Sequence, residues 1–275
     1  MRKKQVEISV IMGVYNQWDQ SVLLTAVQSI LHQTFTDFEF IIYDDGSDPI
    51  VAEYIRKLGS LDDRIIIVGQ EQNHGLAFSL NECIDKAKGR YIARMDADDI
   101  SLPERFAVQH AFLEEHPEYA WCGTNIEMFD EKGTWGERVY PERPEYEDYL
   151  RFSPYVHPTV MYRSEIFQAG EKYYVAPETL RCEDYEMFMR LRRLGYRGYN
   201  IQQVLLRYRE DKDSYQKRKF RFRMNEARVR YRNFKAMGIL FPKGWLYVIR
   251  PVVGAFLPNR LIAMLKRKEN KRRDG

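Results

Sequence analysis

The sequence predicts an α/β protein on a doubly wound, mostly parallel sheet flanked by helices, with a basic helical extension at its C-terminal end. Three observations carry this. Over residues 7–95, short runs apolar on both faces alternate with stretches of helical periodicity, as in βα units whose strands are covered on both sides. Two acidic clusters, Asp44-Asp45-Gly46-Ser47 and Asp96-Ala97-Asp98-Asp99, each follow such a run. In an open parallel sheet they would sit at the carboxyl ends of strands, where ligands bind. The charge also changes sign along the chain. Residues 212–275 hold 19 Lys and Arg against 4 Asp and Glu, a net +15, and residues 1–211 hold 24 against 36, a net −12. The chain therefore divides into a body, 1–211, and an extension, 212–275.

The first strand is 7–15. A helix over 20–34 follows, with Val22, Leu23, Ala26, Val27, Ile30 and Leu31 on one stripe. Next come a strand at 38–43 that ends in the first acidic cluster, a helix at 51–58 and a strand at 64–68. The helix at 76–87 aligns Leu76, Leu80, Ile84 and Ala87, and Gly89 reads as its stop signal. The strand at 91–95 leads into the second acidic cluster. Residues 103–115 read as a helix with Pro103 in its first turn, closed by Pro117. A strand at 119–129 and a turn at 130–133 follow. Residues 134–156 are rich in Pro, Glu and aromatics and show no usable period. A strand at 159–162 precedes a helix at 184–194, with Asp184 as N-cap and Gly195 as C-cap. Strands at 196–201 and 204–208 close the body.

The remaining bulk features exclude several classes. The three cysteines, Cys83, Cys122 and Cys182, are odd in number and widely spaced, so neither a disulfide framework nor a zinc site is expected, and a reducing compartment is. After Met1-Arg2-Lys3-Lys4 the apolar run is too short for a secretory leader. No stretch approaches the roughly 18 apolar residues of a spanning helix.

Three carboxylates packed as closely as Asp96, Asp98 and Asp99 repel one another. A hard divalent cation would remove that conflict and bring a phosphate with it; a solvated turn before a helix is the plainer alternative. Asp45 can accept from a nucleobase N–H or close an Asx-type turn. Tyr15 can stack on a base or pack. Asp184, beside Glu183, is either a general base at a helix mouth or only a cap. His157, before Pro158, can line the site or serve the structure. No Gly-rich phosphate loop and no Ser/His/Asp arrangement is present.

Taken together, the motifs resemble those of family 2 glycosyltransferases with the GT-A fold, a nucleotide-binding, Rossmann-like architecture. The match runs through Ile8-Ser9-Val10-Ile11-Met12-Gly13-Val14-Tyr15-Asn16, Ser29-Ile30-Leu31-His32-Gln33-Thr34-Phe35 and Phe38-Glu39-Phe40-Ile41-Ile42-Tyr43-Asp44-Asp45-Gly46-Ser47. It continues through Asn73-His74-Gly75-Leu76-Ala77, the run from Gly89 to Asp99, Pro103-Glu104-Arg105, His157-Pro158-Thr159-Val160-Met161 and Glu183-Asp184-Tyr185-Glu186. The likeness spans about residues 6–210.

The resemblance implies an inverting, metal-dependent transferase that moves a sugar from a nucleoside diphosphate donor, of the uridine type, to a saccharide hydroxyl. It implies a lipid-linked acceptor and a place in capsule, exopolysaccharide or O-antigen synthesis. It assigns the nucleotide to Gly13, Tyr15, Asp45 and Asp96, and Mn²⁺ or Mg²⁺ to Asp98 and Asp99. Asp184 becomes the catalytic base, with His157 and Glu183 near the acceptor or diphosphate. The extension lies outside the matched region. Its basic helix at 218–235, its apolar stretch at 244–258 and the run Leu261, Ile262, Met264, Leu265 before Lys266-Arg267-Lys268 have the composition of an interfacial contact with an anionic membrane. The expected place is cytoplasmic, at the inner face of the plasma membrane; a helical cap on the body is the alternative. Two competing classes are a non-catalytic sugar-nucleotide binder of the same fold, which turnover would exclude, and a basic-tailed nucleic-acid binder, which salt-dependent binding would reveal. No nucleic-acid partner is expected from the body.

Overall fold

A computed structural model of the chain describes residues 6–210 and 220–254. Met1 to Lys4, Arg218, and the residues of the extension from Phe256 to Lys268 lie outside the described residues. The body runs β1 (Ile8–Val14), α1 (Gln20–Leu31), β2 (Phe38–Asp45), α2 (Pro49–Leu58), β3 (Ile65–Gln70), α3 (Leu76–Lys86) and β4 (Tyr91–Arg94). It continues with β5 (Ile100–Ser101), α4 (Arg105–Glu115), β6 (Trp121–Asp130), β7 (Gly133–Arg138), α5 (Asp148–Arg151), a 3-10 turn (His157–Thr159), β8 (Met161–Arg163) and α6 (Glu165–Gln168). Next come α7 (Glu183–Arg193) and β9 (Gly198–Arg209), and the described part of the extension forms α8 (Phe220–Ala236) and α9 (Trp245–Val253).

One sheet holds the nine strands of the described residues in the order β3-β2-β1-β4-β8-β6-β9-β5, with β7 paired to β6. The half from β3 to β4 is parallel throughout, as expected. Beyond it the sheet is mixed, because β8 runs antiparallel to both β4 and β6. Both faces are covered, which explains why the strands lack polar alternation. In β1, Ile8, Val10, Met12 and Val14 enter one core with Leu23, Val27 and Ile30 of α1. Ile11 points the other way, into a second core with Leu80 of α3, Phe188 of α7 and Phe234 of α8, as the period of two requires.

Several boundaries differ from the sequence reading. Gly89 does not stop α3: the helix ends at Lys86 and Ala87 takes an extended cap. Gly89 is needed because a Cβ there would lie 2.4 Å from the Ser9 nitrogen. The Ser9 hydroxyl accepts from the Gly89 N–H at 2.8 Å and donates to buried Glu39 at 2.6 Å. Pro103 precedes α4 instead of entering it, and Ser101 belongs to β5, which pairs with β9. The two strands expected at 196–201 and 204–208 are one, with a register shift against β6 that spans Gln202 and Gln203. The unread stretch 134–156 contributes β7 and α5. Gly195 does close α7, with φ +93 and the Tyr196 N–H donating to the Leu191 carbonyl at 3.1 Å.

α8 and α9 pack on the body. Val229, Phe234, Met237, Leu240 and Val248 are buried in the second core. Buried Arg230 donates to the carbonyls of Leu150 and Arg151 and lies 5.0 Å from the Tyr185 ring centroid. Among the described residues, no helix is long and apolar enough to cross a membrane.

Candidate active site

The carboxyl ends of β1, β2 and β4 converge, because these strands are adjacent and parallel. Asn16, at φ +47, ties two of these ends together: its N–H donates to the Ser47 hydroxyl at 3.0 Å, and its side chain accepts from the Asp48 N–H at 2.8 Å. Tyr15 beside it is exposed. Gly13 lies where α3 crosses β1, and a Cβ there would come within 3.0 Å of the Ser79 Cβ.

Asp45 is 2% exposed. One carboxylate oxygen accepts from the His74 N–H at 2.9 Å, and the other from the Gly75 N–H at 2.7 Å and the Asn73 amide at 2.9 Å. Burial raises its pKa, and these N–H groups oppose the rise. The carboxylate thus anchors the segment after β3. Gly46 (φ +73) makes this possible, since a Cβ would meet the Gln72 carbonyl carbon at 2.6 Å.

At the end of β4, Asp96, Asp98 and Asp99 each offer an oxygen, all within 4.8 Å of one another. Asp99 is 1% exposed; Oδ1 accepts from the Arg209 N–H at 2.8 Å, whereas Oδ2 is buried with no hydrogen-bond partner among the described residues. Burial pushes Asp99 well above the usual carboxylate range, with the charges of Asp96 and Asp98 adding to it. Burial, then the Asp96 charge, pushes Asp98 up to about 6. An orphaned carboxylate oxygen in an all-oxygen cluster is costly as it stands and is the donor set that a hard divalent cation prefers.

Arg94, 2% exposed at the last position of β4, pairs with Asp96 at 2.5 Å. Its Nε and Nη1 have no partner among the described residues. Its charge reaches Asp98 and Asp99 on one side and Glu183, His157 and Tyr173 on the other. Arg209 adds a second contact, from its Nε to the Asp98 carbonyl at 3.2 Å. Sequence reading gave neither arginine a role. A basic residue inside an apolar buried strand was the available signal for Arg94; Arg209 carried none, since its partners are 110 residues away.

On the far side, α7 begins at Glu183, so Cys182 occupies the N-cap position and Asp184 lies inside the first turn. The expectation that Asp184 caps the helix is corrected: Cys182 has the non-helical backbone, and no side chain caps there. Acids in the first turn and Arg190, Arg192 and Arg193 in the last suit the helix dipole. Burial pushes buried Glu183 up to about 7, helped by the Asp184 charge. His157 is buried, with Nε2 2.7 Å from the Tyr173 hydroxyl, which is 3.4 Å from that of Tyr162. Burial, then Arg94, holds His157 well below its ordinary value, so the ring is neutral. Asn81 of α3 fixes the Tyr173 backbone with bonds of 2.9 and 3.0 Å. A cavity of about 210 Å³ lies between the starts of α3 and α7, bordered by Gly75, Pro177, Leu180 and Glu183.

The profile of the family described as glycosyl transferase family 2 matches residues 9–170. The chain belongs to that family. As a family 2 member it is 34% identical over 267 residues to EpsE of Bacillus subtilis (strain 168), named as a glycosyltransferase, covering 97% of this chain and 94% of EpsE. It is 28% identical to the amylovoran biosynthesis glycosyltransferase AmsE of Erwinia amylovora, over 96% and 99% of the two chains. It is 34% identical to the O-antigen biosynthesis glycosyltransferase WbnJ of Escherichia coli, over 76% and 82%. Among solved structures, residues 1–349 of S. aureus TarS in complex with UDP-GlcNAc superpose with a TM-score of 0.65 at 17% identity, over 82% of this chain and 66% of that one. The mannosyltransferase PcManGT from Pyrobaculum calidifontis, in complex with GDP-Man and Mn²⁺, gives 0.65 at 15% identity, over 98% and 81%. The family 2 chain therefore has the fold expected from its motifs, with a mixed half of the sheet in place of the mostly parallel one.

Proposed function

We propose that the chain transfers a sugar from a uridine diphosphate sugar to a hydroxyl of a saccharide acceptor by direct displacement with inversion, in the synthesis of a surface polysaccharide. The observation that carries this is the triplet at the end of β4, with its buried Asp99 oxygen that lacks a partner among the described residues. Asp98 and Asp99 would hold a divalent cation, and Asp96, paired with Arg94, would face the ribose. Tyr15 faces the base, with Gly13 behind it, and Asp45 shapes the base pocket by holding the Asn73–Gly75 segment. A cation held there would neutralise charge on the departing diphosphate.

Asp184 takes the proton of the attacking hydroxyl. A sugar hydroxyl is a weak nucleophile at neutral pH, so a positioned carboxylate takes its proton as the new bond forms. Glu183 and neutral His157 border the acceptor and the diphosphate. The UDP-GlcNAc of the S. aureus neighbour and the GDP-Man and Mn²⁺ of the archaeal one support a nucleotide-sugar and metal reading. The names of AmsE and WbnJ support a polysaccharide pathway, and a lipid-linked acceptor at the inner face of the plasma membrane fits the composition of the extension. α9 supports that contact: Trp245, Leu246, Ile249 and Val253 are exposed, as is Phe241 before the helix.

The test is a panel of uridine and guanosine diphosphate sugars with Mn²⁺, scored by nucleoside diphosphate release, which needs no acceptor. Release from a uridine diphosphate sugar is expected. Binding of the panel without release from any member would make the chain a non-catalytic binder.

A further inference from the structure

We propose that the groove between α8 and α9 binds the lipid phosphate of the acceptor, an apolar chain joined to a phosphate or diphosphate. What such a ligand would be for rests on the transfer reading above; what kind of ligand fits rests on the groove.

The groove has a volume of about 490 Å³, within the range of small-molecule sites. Its floor is apolar and buried, formed by Ala227 and Val229 of α8 and Val248 of α9, with Trp245 forming a wall. Its rim is basic. Arg228 and Arg232 are four residues apart, so they share one side of α8, and both are exposed. Arg228 has no ion-pair partner among the described residues. Among the described residues the ion pair of Arg232 is a 3.7 Å contact with Glu178, both groups being open to water, and such a pair holds its arginine weakly. An apolar floor alone suits any lipid, and a basic rim alone suits any polyanion. The two together suit an alkyl chain lying on Val248 and Trp245 with its phosphate between two guanidinium groups, which bind phosphate oxygens in a fork.

The groove also borders the segment that lines the smaller cavity of the site. Glu178 borders it, while the adjoining Pro177, Thr179 and Leu180 border the smaller cavity that reaches Glu183 and Gly75. One short segment therefore separates the lipid groove from the start of α7. α8 holds that segment, since the Asn225 amide donates to the Pro177 carbonyl at 2.6 Å. The other end is tied to α7, since the Cys182 N–H donates to the Thr179 carbonyl at 2.9 Å. The segment 177–182 thus joins the wall of the groove at Glu178 to Glu183 at the start of α7, the helix whose first turn carries Asp184.

The experiment uses the full chain and dodecyl phosphate kept monomeric, which separates a groove ligand from insertion into a bilayer. Binding is followed by calorimetry and by tryptophan fluorescence. Dodecyl phosphate should bind at least about tenfold more tightly than an uncharged dodecyl glycoside or inorganic phosphate, because charged hydrogen bonds and the apolar floor act together. The double variant Arg228→Ala/Arg232→Ala should lose about tenfold or more in affinity, with its melting temperature unchanged. Trp245→Phe should remove the fluorescence change while keeping the binding. Donor hydrolysis, measured in the same samples, should be the same in all variants. Equal affinity for the phosphate and the glycoside, or wild-type affinity in the double variant, overturns the proposal. Absence of donor hydrolysis in every sample with dodecyl phosphate still bound would overturn the transfer reading and leave the lipid-phosphate groove standing.

Discussion

At the scale of single residues, the acids divide by what surrounds them. Asp184→Asn keeps the shape of the side chain in the first turn of α7 and removes the proton acceptor. Turnover should fall by roughly 10²–10⁴ while donor affinity changes little; steady-state kinetics beside calorimetry would read both. Wild-type turnover would reduce Asp184 to a helix-dipole residue. Glu183 makes a different prediction. Its pKa rises from 4.5 to about 7 through burial, so the folded chain binds its proton more tightly than the unfolded chain does. Stability from this group is therefore present at low pH and is lost as pH rises toward 7. Glu183→Gln should stabilise the fold by about 2–3 kcal/mol near pH 8 and by almost nothing near pH 4. Denaturant unfolding at the two pH values measures it; a gain of equal size at both would show that ionisation is not the cause. These acids were legible in the sequence because carboxylates at strand ends and helix starts stand out in a chain. Arg94, Arg209 and Tyr173 were not, because their importance lies in burial and in partners distant along the chain, such as Asp99 for Arg209.

At the scale of elements, long periodic segments were readable and short or bulged ones were not. α1, α3 and β1 to β4 were found because an apolar stripe or run is a local property. β5 has two residues, too few to show a period. β9 read as two strands because the register shift leaves Gln202 and Gln203 exposed in its middle. Gly89 was misread because a close approach to Ser9 looks in sequence like a helix stop. The extension gives a prediction at this scale. Phe234 of α8 is fully buried in the second core with Phe188 and Leu191 of α7. Phe234→Ala should cost about 3–5 kcal/mol, as for other buried aromatic truncations, and lower the midpoint of one cooperative transition that includes the sheet. A separate early melt that leaves the body unchanged would show that the extension folds independently.

At the scale of the whole molecule, an acidic body carries a basic extension whose α9 turns apolar residues outward. Leu246 is 62% exposed and Trp245 46%. The full chain should sediment with anionic liposomes and resist release in about 0.5 M NaCl, because salt screens charge over a Debye length but leaves apolar burial intact. Complete release by salt would limit the contact to electrostatics. The central claim is that the strand ends form one nucleotide and cation site. It is tested most directly by calorimetry of uridine diphosphate with and without Mn²⁺, on the wild type and on Asp98→Ala. The wild type should bind the nucleotide tightly only with Mn²⁺, and Asp98→Ala should lose that metal-dependent affinity while its melting curve shows a folded protein. Equal affinity in the variant, or wild-type binding indifferent to Mn²⁺, would contradict the account.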